Sequence, residues 1–403
     1  MARAAAPDAP GANAPTAALD ILVPIACADL GGSQLALLRL IDACAAAEAR
    51  DPGRTRLRFR AWLFSAGPLE AELERRGIAW ERLPRSWPRT PHGWLHLARR
   101  LRRPAPHLVY LHAGRIIALL ARGAGIPCIE RVNEPRAPGA GGWCRYPGLD
   151  RRMTNWNARV LPVSEALRDE LLDRGVAREK LVVMRDPVTA TAFHRPDLRA
   201  ASRASWGIAP GEFLVLTIGR LARAKGLEDL LDAAAICRRE SHPAPRFLIA
   251  GGGPLRDAVL ARVRAGGLAD HVVVRPFQAE VASLYAAADL YLQTSWWEGL
   301  PAVLLEARAA GLPIVATDVG GTREALRDYP AATLVPARDA AAIAGAIRVS
   351  LRAAGDAPRI AGERLEAART PAALPAEFAP EQVAARFLAI VADALAAART
   401  VAR

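Results

Sequence analysis

Short apolar runs that are typical of strands alternate with helix-period segments along nearly the whole chain, and this alternation constrains the fold more than any single motif does. Such runs include DILVPIA at 20–26, PHLVYLHAG at 106–114, FLVLTIG at 213–219 and PIVATDVGG at 313–321. Strands that alternate with helices pair in parallel and carry helices on both faces of the sheet. The sequence therefore predicts an α/β fold with doubly wound parallel sheets, which bind ligands at the carboxyl ends of their strands.

The chain is long enough for two domains. At 403 residues it exceeds what one hydrophobic core usually serves. We expect a first domain at 19–195 and a second at 205–375, connected where the pattern weakens between 188 and 206, and two such domains facing each other form a cleft. An amphipathic helix at 380–400 closes the chain. Residues 1–18, rich in Ala and Pro without an apolar core segment, indicate a disordered leader and no secretory signal.

The segment TSWWEGLPAVLLEARAA at 294–310 carries two glutamates eight positions apart, Glu298 and Glu306. Pro301 suits the first position of a helix, so the N–H groups that follow lack partners inside the helix and can meet an anion. Carboxylates accept hydrogen bonds from hydroxyls. A helix end for phosphate flanked by carboxylates suits a sugar nucleotide, although solvated glutamates on an exposed helix show the same spacing.

Two cations lie upstream on a predicted strand-to-helix loop. Arg220 and Lys225 follow the strand at 213–218, and together they can neutralise a diphosphate. A solvated turn is the alternative. A second strand, RFLIA at 246–250, also ends in glycines.

Taken in order, these residues resemble the family-4 retaining glycosyltransferases (glycosyl transferases group 1) of the GT-B fold. The resemblance rests on Arg220, Lys225, residues 251–254, Glu298, Glu306, Gly320, Gly321 and Glu324. It spans nearly the whole chain and is strongest between about 210 and 350. It implies two Rossmann-like domains facing across a cleft, with the acceptor bound by the first and the nucleotide sugar by the second, and a terminal helix that packs back on the first domain.

The resemblance also implies roles for particular residues. Glu298 and Gly299 contact the transferred sugar, with Glu298 as a catalytic residue, and Glu306 holds the ribose hydroxyls. The donor diphosphate is bound by Arg220, Lys225, Gly31, Gly32, Leu300 and Pro301. From spacing alone, the pair Gly31-Gly32 between a strand and a helix is equally typical of a plain turn.

His112 ends the strand LVYLH, at the edge where chemistry collects in such sheets. A lone histidine is often a hydrogen-bonded structural residue. Members of the family carry a histidine near the reacting sugar at this place, so the resemblance implies a catalytic role for His112. Where the family often has a second histidine, two residues earlier, this chain has Tyr110.

The resemblance implies a retaining, metal-independent hexosyltransferase without a cofactor beyond its nucleotide-diphosphate sugar donor. No Asp-x-Asp motif occurs, and none of the five cysteines has spacing that suits zinc. In this scheme the acceptor hydroxyl attacks on the face that the diphosphate leaves. The implied acceptor is a glycan, a polysaccharide precursor of the lipopolysaccharide or capsule type, or a glycolipid. An odd cysteine count favours a reducing compartment, so we expect a cytoplasmic protein.

Positive charge is concentrated in the first half of the chain. Residues 1–200 hold 31 Lys and Arg against 20 Asp and Glu, and the remainder is nearly balanced. Arg99, Arg100, Arg102 and Arg103 lie on or beside one face of a predicted helix whose other face carries Trp94 and Leu101. Such a helix can lie peripherally on an anionic membrane, or pack its apolar face on the sheet. No nucleic-acid module is present, so we expect no nucleic-acid partner.

Two other functions are weighed against the transferase. A Rossmann dehydrogenase requires Gly-x-Gly-x-x-Gly after a strand, and neither Gly31-Gly32 nor the glycines at 251–253 fit. A non-catalytic sugar-nucleotide-binding protein keeps the fold and loses the chemistry. The segment 136–146, with three glycines, indicates either a mobile loop beside the acceptor cleft or a plain surface connection.

Overall fold

The computed structural model describes residues 18–51, 53–112, 114–135, 147–209, 211–278, 280–356 and 373–401. The expected leader, up to residue 17, and the glycine-rich segment 136–146 lie outside the described residues. The chain forms two compact units. The first holds the described residues of 1–131, 152–160 and 381–403, and the second holds those of 132–151 and 161–380.

The first unit is built on a six-stranded sheet in the order β3-β2-β1-β4-β5-β6. Its strands are β1 Leu19–Ile25, β2 Leu57–Leu63, β3 Ala79–Arg82, β4 Leu108–Leu111, β5 Cys128–Val132 and β6 Arg159–Pro162. The helices between them are α1 Gly32–Arg50, α2 Leu69–Arg75, α3 Pro91–Leu101, α4 Arg115–Gly123 and α5 Pro147–Asn155, of which only residues 152–155 of α5 belong to the first unit. The pairing of β1 with β2 and β4 is parallel, so the loops after β1 and β4 lie at the same edge.

The core of the first unit explains why β1 and β4 are almost wholly apolar. All four residues of β4 are buried, as expected for a strand covered by helices on both faces. Leu97 and Leu101 of α3 are fully buried and belong to the same apolar cluster as Val109. The terminal helix α14 (Pro380–Val401) also packs on this unit: the ring centre of its Phe387 lies 5.1 Å from that of Tyr110 on β4.

The second unit is built on a six-stranded sheet in the order β12-β11-β10-β7-β8-β9. Its strands are β7 Leu214–Ile218, β8 Arg246–Ala250, β9 Val272–Arg275, β10 Leu290–Gln293, β11 Ile314–Thr317 and β12 Ala332–Val335. Its helices are α6 Glu165–Asp173, α7 Arg199–Ser205, α8 Leu227–Glu240, α9 Arg256–Ala265, α10 Ala282–Ala287, α11 Ala302–Ala309, α12 Thr322–Ala325 and α13 Ala340–Asp356. β10 and β11 are buried throughout and pair in parallel.

The predicted α/β fold with two parallel sheets is confirmed. The division of the chain differs from the boundary expected between 195 and 205, because residues from Leu161 onward belong to the second unit. The segment expected as a connection contains α7, whose Arg203 donates to Asp289 Oδ2 at 3.1 Å and fastens the helix to the sheet. Within the described residues, no helix is both long and apolar enough to cross a membrane.

Candidate active site

Glu298 lies in the loop between β10 and α11 and forms the centre of the candidate site. It is only 8% exposed. Its Oε1 atom accepts hydrogen bonds from Lys225 Nζ at 2.5 Å and from Ser295 Oγ at 2.6 Å. Lys225 belongs to the loop that follows β7, so the ion pair joins the loops of two adjacent strands. A buried carboxylate is stable when charged only if it is paired in this way.

Glu306 lies inside α11 and is 5% exposed. Tyr285 of α10 donates its hydroxyl to Glu306 Oε2 at 2.8 Å. Tyr291, on β10, lies close to both acids. Burial first, and then the charges of Glu306 and Glu298, raise the pKa of Tyr291 well above its usual value, so this hydroxyl remains protonated. The two glutamates are therefore brought to one region of the second unit.

Arg220 and Lys225 line the same small pocket at the carboxyl edge of the second sheet. Tyr291, Ser295 and Val303 also line it. Arg220 is exposed, and among the described residues no acid pairs with its side chain. The pocket thus combines a paired lysine with an arginine that is available to an anion.

Helix α11 begins one residue later than expected. Ala302 is its first residue, and Pro301, predicted at that first position, precedes the helix with extended backbone (φ −76°, ψ 98°). Proline has no N–H, so the donors of the first turn belong to Ala302 and Val303. Among the described residues neither N–H has an acceptor, and Val303 lines the pocket. Leu300 and Pro301 are buried, and they shape this helix end through their backbone.

Glycines at the edge of the sheet allow the main chains of neighbouring loops to touch. A Cβ on Gly320 would lie 1.9 Å from the carbonyl oxygen of Glu298, and one on Gly299 would lie 1.8 Å from that of Asn133. Gly320 also has a positive φ of 51°, which disfavours other residues. Gly299, predicted to contact the sugar, is therefore required for packing of the loop that carries Glu298.

Glu324, one of the residues on which the resemblance rests, caps helix α6. Its carboxylate accepts from the backbone N–H groups of Glu165 at 2.9 Å and Ala166 at 2.8 Å, at the start of α6. Arg185, which is 5% exposed, donates to the same carboxylate at 2.7 Å. Ser164 completes the cap, because its hydroxyl accepts from Leu167 N at 3.1 Å.

His112, Gly31 and Gly32 belong to the first unit. Gly31 precedes α1 and Gly32 is its first residue, and His112 follows β4, the strand beside β1. The Nε2 atom of His112 is buried without a hydrogen-bond partner among the described residues. Burial, and secondly the Arg131 guanidinium, lower the pKa of His112 from 6.5 to about 3. The imidazole is therefore neutral near pH 7.

Ser295, Tyr285 and Tyr291 support the predicted acids but were not predicted. The signal for Ser295 is its position three residues before Glu298. Tyr285 and Tyr291 lie in apolar surroundings, where a tyrosine hydroxyl needs a partner. Nothing in the sequence tells which acceptor each hydroxyl finds.

Within the described residues, no three His, Cys, Asp or Glu side chains are grouped so that they could hold a metal ion. Burial raises the pKa values of Cys44 and Cys128 to about 12. These two residues are therefore neutral thiols inside the first unit.

Comparison with known proteins identifies relatives of this chain. Residues 199–361 match the family described as glycosyl transferases group 1. The D-inositol 3-phosphate glycosyltransferase of Nocardia farcinica is 32% identical over 277 residues, which cover 66% of this chain and 57% of that protein. This chain therefore spans little more than half the length of that relative. The protein of the same name from Jonesia denitrificans is 30% identical over 301 residues, which cover 72% of this chain and 67% of that protein.

The fold is shared with solved structures. The match to the crystal structure of Anabaena HepE in complex with UDP-glucose covers 95% of this chain and 99% of the HepE chain, with a TM-score of 0.72 and 20% sequence identity. Identity this low shows the fold alone. The relatives and the two parallel sheets together confirm the resemblance seen in the sequence: the chain belongs to the glycosyl transferases group 1 family and has the GT-B fold.

Proposed function

We propose that this protein transfers a hexose-type sugar from a nucleoside diphosphate sugar to a hydroxyl of its acceptor, with retention of configuration and without a metal ion. The observation that carries the proposal is the Lys225 to Glu298 ion pair of 2.5 Å at the edge of a pocket that Arg220 also lines. It brings a cation for a diphosphate and a carboxylate for a sugar to one place. The Anabaena structure with UDP-glucose supports this class of donor.

The departing diphosphate is stabilised by groups that donate to anions. Lys225 has three N–H donors, so it can hold Glu298 and a phosphate oxygen together. Arg220 adds a second cation, and the N–H groups of Ala302 and Val303 add two donors that no described residue uses. Donors fixed in place before reaction stabilise the charge that develops as the glycosidic bond breaks.

Glu298 is assigned to the transferred sugar and Glu306 to the ribose. Both hydrogen bonds that Glu298 accepts use Oε1, and no described residue donates to Oε2. That atom can accept from sugar hydroxyls, since a carboxylate oxygen has two lone pairs. Glu306 is buried beside Tyr285, which fixes its orientation.

The chemical step breaks the bond between the anomeric carbon and the diphosphate oxygen and forms one to the acceptor oxygen on the same face. The acceptor proton passes to the leaving phosphate oxygen. His112 is assigned a neutral role as a hydrogen-bonding group toward the sugar. Its unpartnered Nε2 and its lowered pKa support this role.

The proposed acceptor is a glycan, a polysaccharide precursor or a glycolipid, bound mainly by the first unit. Gly31 and Gly32 are assigned to the donor diphosphate. We assign α3 of that unit to an anionic membrane surface. Arg99 on α3, and Arg102 and Arg103 directly after it, are exposed and have no acidic partner among the described residues. Leu95 on the same helix is 49% exposed, which gives the surface an apolar contact as well.

The test is to incubate the protein with UDP-, GDP- and ADP-sugars and to measure release of the nucleotide. We expect one donor to be consumed, with EDTA having no effect, and the anomeric configuration of the product to match that of the donor by NMR. Glu298→Gln should lower turnover by about a hundredfold, the size expected for a fixed electrostatic group in a site. The exposed Glu228→Gln is the matched control.

The alternative function, a non-catalytic binding protein of the same fold, predicts a different result. It would be stabilised in thermal-shift measurements by one nucleotide sugar and would release no nucleotide. Equal turnover of Glu298→Gln and wild type would show that Glu298 does not act on the sugar.

A further inference from the structure

Hydrogen bonds hold both the backbone and the indole ring of Trp296 in place. Its backbone N–H donates to Ala224 O at 2.7 Å, and its indole Nε1 donates to Asp229 Oδ2 of α8 at 2.6 Å. The ring lies two residues before Glu298 in the same loop. A ring held in this way provides a rigid surface at the edge of the second sheet.

Two guanidinium groups lie on this ring. The Cζ atom of Arg338 is 4.4 Å from the ring centre, and that of Arg223 is 5.8 Å from it. Both distances fall within the range of cation–π contacts. Arg223 belongs to the loop after β7 and Arg338 to the loop after β12, so Trp296 brings together cations from two separate parts of the sheet edge.

Neither arginine is neutralised by the described residues. Both are exposed, and no described acid forms an ion pair with either. The acids beside them have other partners: Asp229 accepts from the indole, and Asp339 accepts from Ala342 N at 2.8 Å at the start of α13. Two cations thus share one ring, and neither forms a direct ion pair with a described acid.

The backbone of Arg338 is strained. Its φ is +63°, in the left-handed region where glycine is favoured and a long side chain is unusual. Strained residues are found at ligand sites more often than elsewhere. Here the strained backbone is the one that places the closer guanidinium on Trp296.

We propose that Arg223 and Arg338, held on Trp296, form a subsite for an oxyanion, a phosphate or a carboxylate, carried by the acceptor. Guanidinium groups bind such anions through paired N–H donors. Arg223 and Arg338 are not among the residues that line the pocket of Arg220 and Lys225, and we therefore assign them an anion other than the donor diphosphate. The assignment to the acceptor rests on the proposed function, whereas the anion subsite itself does not.

The experiment is calorimetric titration of the full chain, with UDP at saturation to occupy the donor site. Glucose 1-phosphate is compared with methyl glucoside, its neutral counterpart, and glucuronic acid shows whether a carboxylate suffices. We expect the anionic sugars to bind at least about tenfold more tightly, the size of one charge-assisted contact. Added salt should weaken that preference, because the arginines are exposed.

The variant R223Q/R338Q should bind the anionic sugars no better than methyl glucoside and should keep its affinity for UDP. The control is Arg239→Gln, which removes an exposed arginine from α8 and should change neither affinity. Arg338→Gly guards against misfolding, since glycine relieves the positive φ. It should raise Tm while lowering affinity for the anion.

Equal affinity of the wild type for charged and neutral sugars would overturn the subsite, as would full retention of anion binding in the double variant. A failure of UDP to bind the wild type would instead count against the proposed function. In that case, the same titrations carried out without UDP would still measure whether binding of the anion depends on Arg223 and Arg338.

Discussion

At the scale of one residue, His112 is a half-buried neutral base with a buried Nε2 atom, and this makes the stability of the protein depend on pH. Its pKa is lowered from 6.5 to about 3 by burial and by Arg131. Between these values the unfolded chain binds a proton that the folded chain does not, so stability is complete above about pH 6.5 and is lost as the pH falls. The loss from this residue is at most about 1.4 kcal/mol per pH unit.

We therefore expect His112→Gln to flatten the dependence of the free energy of unfolding on pH between about 6 and 4. Urea denaturation at a series of pH values measures it. The free energy of unfolding of the wild type minus that of the variant should increase as the pH rises. Parallel curves for the two proteins would mean that His112 is protonated in the folded state.

The sequence indicated which residues lie together in the second unit better than how they contact one another, and the roles of these residues in a site stay predictions. Glu298, Glu306, Arg220 and Lys225 were all recognisable from residue type and order. The ion pair between Lys225 and Glu298 joins residues 73 positions apart, and it depends on the placement of two loops that no local pattern specifies. The same holds for Tyr285 and Glu306, since a hydroxyl can be satisfied by any acceptor within reach.

At the scale of elements, the turn after β11 controls the loop that carries Glu298. Gly320→Ala would place a Cβ 1.9 Å from Glu298 O at a φ of 51°. Strain and the backbone shift together should cost more than about 2 kcal/mol of unfolding free energy. Activity should fall as well, because Glu298 moves with its own carbonyl.

The matched change is Gly345→Ala in α13, where an added Cβ meets nothing within 4 Å. Alanine is the better helix former, so this variant should be more stable by about 0.5–1 kcal/mol. Thermal unfolding and donor turnover are measured for both variants. If Gly320→Ala were as stable and active as Gly345→Ala, the loop contact would be unimportant.

The central strands were predictable because they are buried on both faces and read as continuous apolar runs. The edge strands β3 and β12 were missed. β3 is four residues long, has both ends exposed and contains Glu81 and Arg82. β12 is also four residues long, with only Val335 buried. Short strands at an edge gain their pairing from the neighbouring strand, so their own sequence carries little signal.

At the scale of the whole molecule, positive charge is concentrated on the first half of the chain. We expect the protein to sediment with vesicles that contain phosphatidylglycerol and not with neutral vesicles. Reversing Arg99, Arg102 and Arg103 to Glu should abolish sedimentation, because each arginine near an anionic surface contributes about 1 kcal/mol. Arg100 is left unchanged, since it pairs with Glu81 and its Cζ lies 5.8 Å from the ring centre of Trp87.

The control carries the same change in net charge on the second unit, at the exposed Arg239, Arg264 and Arg352. It should still bind the vesicles. Sedimentation of the α3 variant at the wild-type level would contradict the membrane assignment and leave α3 with its packing role, which Leu97 and Leu101 already fulfil.

Peptide groups of successive loops lie against one another at the edge of the second sheet. Besides Gly320 and Glu298, a Cβ on Gly251 would lie 1.8 Å from Gly219 O, and one on Gly226 would lie 2.1 Å from Thr294 O. With no side chains between them to serve as adjustable spacers, these loops cannot be lengthened one at a time. To redesign this edge of the sheet, the loops must therefore be replaced together with a matching set from one related protein, or only the outward-facing side chains must be changed.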